Sequence, residues 1–245
     1  DEQCMDTGDC SGPKSARNIL FHPDVDAAVL ETARGGLLRE GLGFDRCDVA
    51  VVTNIGMGDH LGMAYINTAE ELAVVKRIVV QNVAPKTGYA VLNAADPLVA
   101  SMAEHCPGSV IFFAQDRHHP VLAMHRAQHK RVIYMESSCI VAASETVEYR
   151  IPLNEIPLTK NGSINFQIEN VMAAIGAGWA LGLEWAVIHD GVASFVSNTQ
   201  TAPGRFNLFN YRNATLIADY GHNPDAIQAL VSAIDNIPSK KRSVV

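Results

Sequence analysis

Runs of consecutive apolar residues alternate along this chain with stretches in which apolar positions recur every three or four residues. Val25 to Glu31 and Asp48 to Asn54 are short apolar runs that each close on a polar residue. That is the pattern of buried parallel strands that deliver side chains to one edge of a sheet, so their ends are where chemistry is expected. Thr68-Ala-Glu-Glu71 has capping-box spacing and Leu72, Val75 and Val79 continue on one face, which predicts a helix to about Asn82. A strand at Tyr89 to Asn93 follows. Strand, helix, strand in that order predicts right-handed crossover into a mainly parallel α/β sheet.

Between Ser109 and Leu153 the pattern shortens. Val110 to Phe113, Arg131 to Met135, Cys139 to Ala143 and Val147 to Ile151 read as strands separated by polar turns, a small β-rich flap on the main sheet. Ile168 to Leu183 reads as a buried helix whose alanines and glycines permit close packing. Turn formers replace the apolar pattern in Asn198-Thr-Gln-Thr-Ala-Pro-Gly204, the predicted linker between a first domain (1–198) and a second (199–245). The second opens with a strand, Ala214 to Asp219, and a helix whose Ile227, Leu230, Val231 and Ile234 share one face.

Composition narrows the function classes. With 48% of its residues apolar and 18% charged, the chain is too apolar to be disordered. Nineteen Lys and Arg against 26 Asp and Glu give a net charge of −7, so neither nucleic acid nor an anionic membrane surface is the expected partner. The most apolar stretch, Val171 to Leu183, is shorter than the roughly 20 residues a bilayer requires. The first residues have neither the basic start nor the apolar run of a signal peptide, and we read them as internal to a longer polypeptide. Five scattered cysteines without CxxC spacing fit a reduced, cytoplasmic protein.

Several clusters carry candidate chemistry. Glu31, at a predicted strand end and followed by Thr32-Ala-Arg34-Gly35-Gly36, is placed to hold a divalent cation or to pair with Arg34 or Arg39. Thr53-Asn-Ile-Gly-Met-Gly-Asp-His60 brings Asp59 and His60 to the sheet edge, near Glu31 if the two strands are neighbours; a Glu/His pair there would ligate a metal, and a lone His would orient water. Lys76 lies among Val74, Val75 and Ile78, either snorkelling or partly buried with altered chemistry such as carbamylation. Asp219-Tyr-Gly-His222-Asn-Pro-Asp225 joins a strand to a helix, where an Asp accepts from a ribose and a helix N-terminus favours phosphate. Two clusters are set aside: Gly8 to Ser15 lacks the Gly directly before Lys14 that a phosphate loop requires, and His118, His119, His125 and His129 lie among cationic residues that disfavour zinc.

In order along the chain stand ETARGG (31–36), TNIxxGDHLG (53–62), Glu169-Asn170-Val-Met-Ala-Ala174, PGRF (203–206) and DYGHNPDA (219–226). Together they closely resemble the Mur-ligase-like portion of the cyanophycin synthetases. The stretches Asp6 to Leu20 and Arg39 to Gly56 resemble those synthetases more than the wider Mur and folylpolyglutamate ligases. The resemblance covers nearly the whole chain. It implies a Mur-ligase-like central domain followed by the start of a Rossmann-like C-terminal domain. The activity it implies is an ATP- and Mg²⁺-dependent amide ligase that joins arginine to the β-carboxylate of a polyaspartate backbone through an acyl phosphate. It also implies the roles: Glu31 and His60 on Mg²⁺, Lys76, carbamylated, steadying that site, Asn170 at adenine, Arg205 at phosphate, Asp219 at ribose and His222 beside the nucleotide, with the linker as hinge. Implied partners are arginine, the aspartate/arginine polymer, the rest of the synthetase with its ATP-grasp domain, and further copies in a homo-oligomer. The same resemblance admits a catalytically inactive structural module that supports oligomerisation in a dipeptide-polymerising synthetase. This sequence holds no GTNGKT-like phosphate loop, Ala95 stands where the family usually has Asp, and Met57 where a small or acidic residue is usual. Alone, this stretch is expected to be inactive.

Overall fold

Strand pairing, rather than propensity alone, fixes the architecture. The structure is a computed structural model that describes residues 4, 8, 10–56, 61–62 and 64–243. Six strands lie side by side in chain order: β1 (Val49–Val52), β2 (Tyr89–Asn93), β3 (Ser109–Asp116), β4 (Val132–Glu136), β5 (Cys139–Ala143) and β6 (Glu148–Pro152). The first four run parallel, and β5 and β6 turn back antiparallel. The β-rich region is therefore continuous with the main sheet. Between β4 and β5 the chain reverses through Ser137 and Ser138, both left-handed at φ 50° and 59°, the two-residue turn whose twist suits a hairpin.

Period-two alternation divides the strand side chains between two cores. Ala90, Leu92, Phe112, Tyr134 and Val141 meet Leu72, Val80, Val99 and Leu122 on one face. Val91, Ile111, Phe113, Ile133 and Ile140 meet Ile168, Val171, Met172 and Ile175 on the other. Three layers result. Helices α1 (Pro13–Leu20) and α2 (Arg34–Glu40) precede the sheet. Helices α3 (Ala69–Lys76) and α4 (Ile78–Gln81) link β1 to β2, α5 (Pro97–Ser101) links β2 to β3 and α6 (Pro120–Ala127) links β3 to β4. Helices α7 (Asn165–Ala180) and α8 (Trp185–Ser194) follow β6. The predicted capping box is formed by Thr68 and Glu71, although a turn at Arg77 divides the expected helix in two. Helix α7 lies close on the sheet: a Cβ at Gly176 would stand 2.6 Å from Val91 Cγ1.

One predicted strand is absent. Residues 25–31 pair with no other strand, Val29 is fully exposed, and the sheet ends at β1 on one edge and at β6 on the other. An apolar run becomes a strand only when a neighbour completes its hydrogen-bond ladder, and residues 25–31 have none. What fixes the end of the stretch is the Ala33 N–H, which donates to the Ser11 carbonyl at 3.1 Å.

Past the first unit, β7 (Asn207–Tyr211) and β8 (Ala214–Ala218) form a separate antiparallel pair, followed by α9 (Pro224–Asp235). This second unit rests on the start of α7, where Phe206, Ala233, Ile217 and Leu230 pack with Ile164 and Phe166. Among the described residues no helix is long and apolar enough to cross a membrane.

Candidate functional site

The parallel strands deliver their carboxyl ends to a cleft of about 720 Å³, within the range of small-molecule sites and at the place where open α/β sheets bind ligands. Thr53 to Gly56 after β1, Asp96 after β2, and Gln167, Glu169 and Asn170 on the first turns of α7 form one wall. Arg205, Asp219, Asn223 and Asp225 face them from the second unit. Gly56 and Asp225 approach so closely across the gap that a Cβ on the glycine would lie 3.3 Å from the Asp225 carboxylate.

Most of the carboxylates here are organised by N–H donors. Asp96 caps α5, accepting from the N–H groups of Leu98 (2.9 Å) and Val99 (3.1 Å), and its other oxygen accepts the Ile55 N–H at 2.7 Å. Asp219 accepts from Phe206 (2.9 Å) and Gly221 (2.7 Å). Asn223 caps α9 through the Ala226 N–H at 2.8 Å. Glu169 accepts from Gln115 Nε2 at 2.9 Å and Asn93 Nδ2 at 3.5 Å.

The turn-rich segment expected as a linker is cross-braced. Asn198 Oδ1 accepts the N–H groups of Gln200 and Thr201, and Thr201 Oγ1 donates to the Val196 carbonyl at 2.7 Å. Buried Asn207 accepts the Gly204 N–H at 2.7 Å and donates to the carbonyls of Ala202 and Arg205 at 3.0 and 3.3 Å. Gly204 itself needs φ +70°, which glycine adopts without strain. These bonds fix the backbone of Arg205, whose guanidinium carbon lies 5.8 Å from the Tyr220 ring centre.

Three of the residues singled out from sequence, Asn170, Arg205 and Asp219, line this one cleft. The others are elsewhere. Glu31 is exposed, beside a small crevice near Ser11 and Leu37 that also borders α1 and α2. Lys76 ends α3, half-buried and outside the cleft lining. His222 is exposed, its Nδ1 3.2 Å from the Tyr220 carbonyl oxygen. Asp59, His60 and Met57 lie outside the described residues, and with His60 so does one half of the expected metal pair. Among the described residues no three His, Cys, Asp or Glu side chains converge as a metal cage. Magnesium does not require one, because it is commonly held by one or two carboxylates together with phosphate oxygens and water.

Sequence reasoning missed Asp96 and gave Glu169, Asn223 and Asp225 no role beyond their place in a motif. Asp96-Pro97 and Asn223-Pro224 carry the signal that would have found two of them, an Asx cap followed by proline in the first helical turn.

Comparison with known proteins adds the relatives. The family described as the Mur ligase middle domain matches residues 8–178. A cyanophycin synthetase from a Synechocystis species is 41% identical over 245 residues, all of this chain and 28% of that protein. One from Crocosphaera subtropica is 39% identical, again over the whole chain and 28% of the relative. The 2,6-diaminopimelate-adding UDP-N-acetylmuramoyl-L-alanyl-D-glutamate ligase of Listeria innocua is 27% identical over 232 residues, covering 90% of this chain and 42% of that one. Among solved structures, MurF from Acinetobacter baumannii aligns with TM-score 0.52 at 18% identity, over 78% of this chain and 37% of that one. Escherichia coli FolC in complex with ADP aligns with TM-score 0.51 at 21% identity, over 80% and 40%. These two share the fold. The chain spans only about 28% of the length of the cyanophycin synthetases it matches.

Proposed function

The chain belongs to the Mur ligase family, and from that premise we propose that it is the nucleotide-binding part of an ATP-dependent ligase that forms carbon–nitrogen bonds, of the cyanophycin synthetase type. Residues 1–198 are the central domain and 199–245 the start of the C-terminal one. The observation that carries this reading is the meeting of Asn170, Arg205 and Asp219 in one cleft at the carboxyl ends of the parallel strands.

The division of labour follows from the chemistry of the side chains. The Asn170 amide hydrogen-bonds the adenine, Asp219 accepts from ribose hydroxyls with the lone pairs its two backbone donors leave free, and the Arg205 guanidinium meets phosphate oxygens. His222 stands beside the nucleotide. The polymer's aspartate β-carboxylate attacks the γ-phosphorus, ADP leaves, and the acyl phosphate is captured by the arginine amine as inorganic phosphate departs. Holding two anionic partners together is the main task, so fixed donors and counter-charge carry most of the catalysis. Mg²⁺ supplies that counter-charge when bound; Glu31 and His60 are the residues assigned to hold it, with Lys76, carbamylated, nearby. The rest of the polypeptide, including an ATP-grasp domain for aspartate addition, completes a homo-oligomeric cytoplasmic synthetase.

A second reading, a structural module without catalysis, draws on the position of Glu31 and Lys76 outside the cleft lining. Arginine incorporation into an aspartate polymer by the full-length parent separates the two. The ligase reading expects incorporation that depends on ATP, with KM for ATP raised about tenfold by Arg205→Ala, the scale of one lost charge-assisted hydrogen bond. ATP-independent incorporation, or none, overturns it.

A further inference from the structure

Glu169 is one of the carboxylates on the cleft wall, and its setting is that of a group aimed for recognition. Its neighbour on one side is Asn93 at the end of β2, 4% exposed, whose Oδ1 is taken by the Ala95 N–H at 2.9 Å. That bond fixes the amide so that Nδ2 turns to one oxygen of Glu169. From β3, Gln115 Nε2 donates to the other oxygen and, at 3.4 Å, to the Asn165 carbonyl, so its orientation is fixed as well. Each Glu169 oxygen therefore spends one acceptor site on the protein and keeps another, and the residue lines the cleft. The adjoining Asn170 gives one amide hydrogen to Gln167 Oε1 at 3.1 Å and keeps a second donor and its carbonyl. Side by side on one helical turn, the cleft offers an anionic acceptor that cannot swing away and an amide donor.

An adenine edge presents the complement, a 6-amino donor beside a ring-nitrogen acceptor. We propose that Glu169 accepts a hydrogen bond from the exocyclic 6-amino group of the bound purine, with Asn93 and Gln115 holding its carboxylate in place, and so makes the cleft select a 6-aminopurine nucleotide. This rests on the nucleotide reading above and adds a residue and a criterion to it. A site built around a fixed acceptor rejects an analogue lacking the matching donor, because the acceptor is then desolvated without compensation.

The test uses the full-length parent, with ATP and purine riboside triphosphate, which lacks only the 6-amino group. In the unaltered enzyme kcat/KM falls at least about tenfold when the amino group is missing, mostly through KM. In Glu169→Gln the two nucleotides differ by less than about threefold, because a neutral amide wedged between two amide donors cannot present the same acceptor. If the variant is insoluble, the unaltered enzyme still decides: equal use of both nucleotides overturns the proposal. So does a discrimination of unchanged size in Glu169→Gln, which is what a purely structural carboxylate gives. An enzyme that uses neither nucleotide overturns the nucleotide reading itself, a result distinct from both.

Discussion

The carboxylate of Asp96 reaches from the end of β2 to the Ile55 N–H at 2.7 Å while its other oxygen caps α5, so one side chain fixes the loops after two neighbouring strands. The wall of the cleft contributed by Thr53 to Gly56 is tied by this bond to the loop after β2.

Asp96→Ala is accordingly expected to loosen that wall locally. Loss of the helix cap costs about 1 kcal/mol, and the stranded Ile55 N–H adds about 1–3 kcal/mol wherever it is kept from water. Amide hydrogen exchange should show protection falling at Ile55, Leu98 and Val99 together, by roughly ten- to a hundredfold. Asp96→Asn, which can still cap, should retain protection at Leu98 and Val99. Unchanged exchange at Ile55 in the alanine variant would remove the bridging role.

Glycines in the two long helices of the first unit should respond with opposite signs. A methyl at Gly176 meets Val91 Cγ1 at 2.6 Å, and overpacking of this kind costs about 1–3 kcal/mol against about 1 kcal/mol gained in helix propensity. At Gly191 in α8 nothing lies within 4 Å of the added Cβ, so only the gain remains. Thermal midpoints should fall for Gly176→Ala and rise for Gly191→Ala.

How much of this was legible beforehand depends on where the information resides. Tyr89–Asn93 and Cys139–Ala143 are strands with the predicted ends, because each is an unbroken apolar run between turn formers. Val25 to Glu31 has the same local pattern and is no strand, since pairing is a non-local property that a run of residues does not encode. In the cleft, Asn170, Arg205 and Asp219 were visible through motifs. Glu169 stands in one of those motifs, but nothing local marks it out from its neighbours. Its significance comes from Asn93 and Gln115, 76 and 54 residues away, which no spacing rule connects to it.

His125 gives the fold a pH dependence of defined sign. It is 8% exposed, its Nε2 lies 2.9 Å from the Val110 carbonyl oxygen, and its ring stands edge-on to Phe112 at 4.9 Å. Burial lowers its pKa from 6.5, the Val110 carbonyl opposes that, and Lys130 adds to the lowering. A depressed histidine favours the neutral form when folded. Its contribution is therefore complete above the unfolded value near 6.5 and is lost as the pH falls through the lower folded value. Denaturation midpoints measured from pH 7.5 to 5 should decline more steeply for the native protein than for His125→Gln; parallel curves would show that His125 does not carry the effect.

Glu31 separates the two functional readings because its position is so unlike that of the cleft residues. It is exposed on a segment that joins no sheet, yet it directly precedes the turn into α2. If it holds the counter-charge for phosphoryl transfer, Glu31→Ala in the full-length parent should reduce arginine addition by at least about a hundredfold, the scale of several kcal/mol of lost charge stabilisation, while aspartate addition persists. A carboxylate this exposed contributes little to folding, so its removal should leave the thermal midpoint nearly unchanged. Radiolabelled arginine and aspartate incorporation, followed separately in the same preparation, distinguishes the outcomes. Equal loss of both assigns Glu31 to the assembly of the synthetase, and undiminished arginine addition removes it from the metal site altogether.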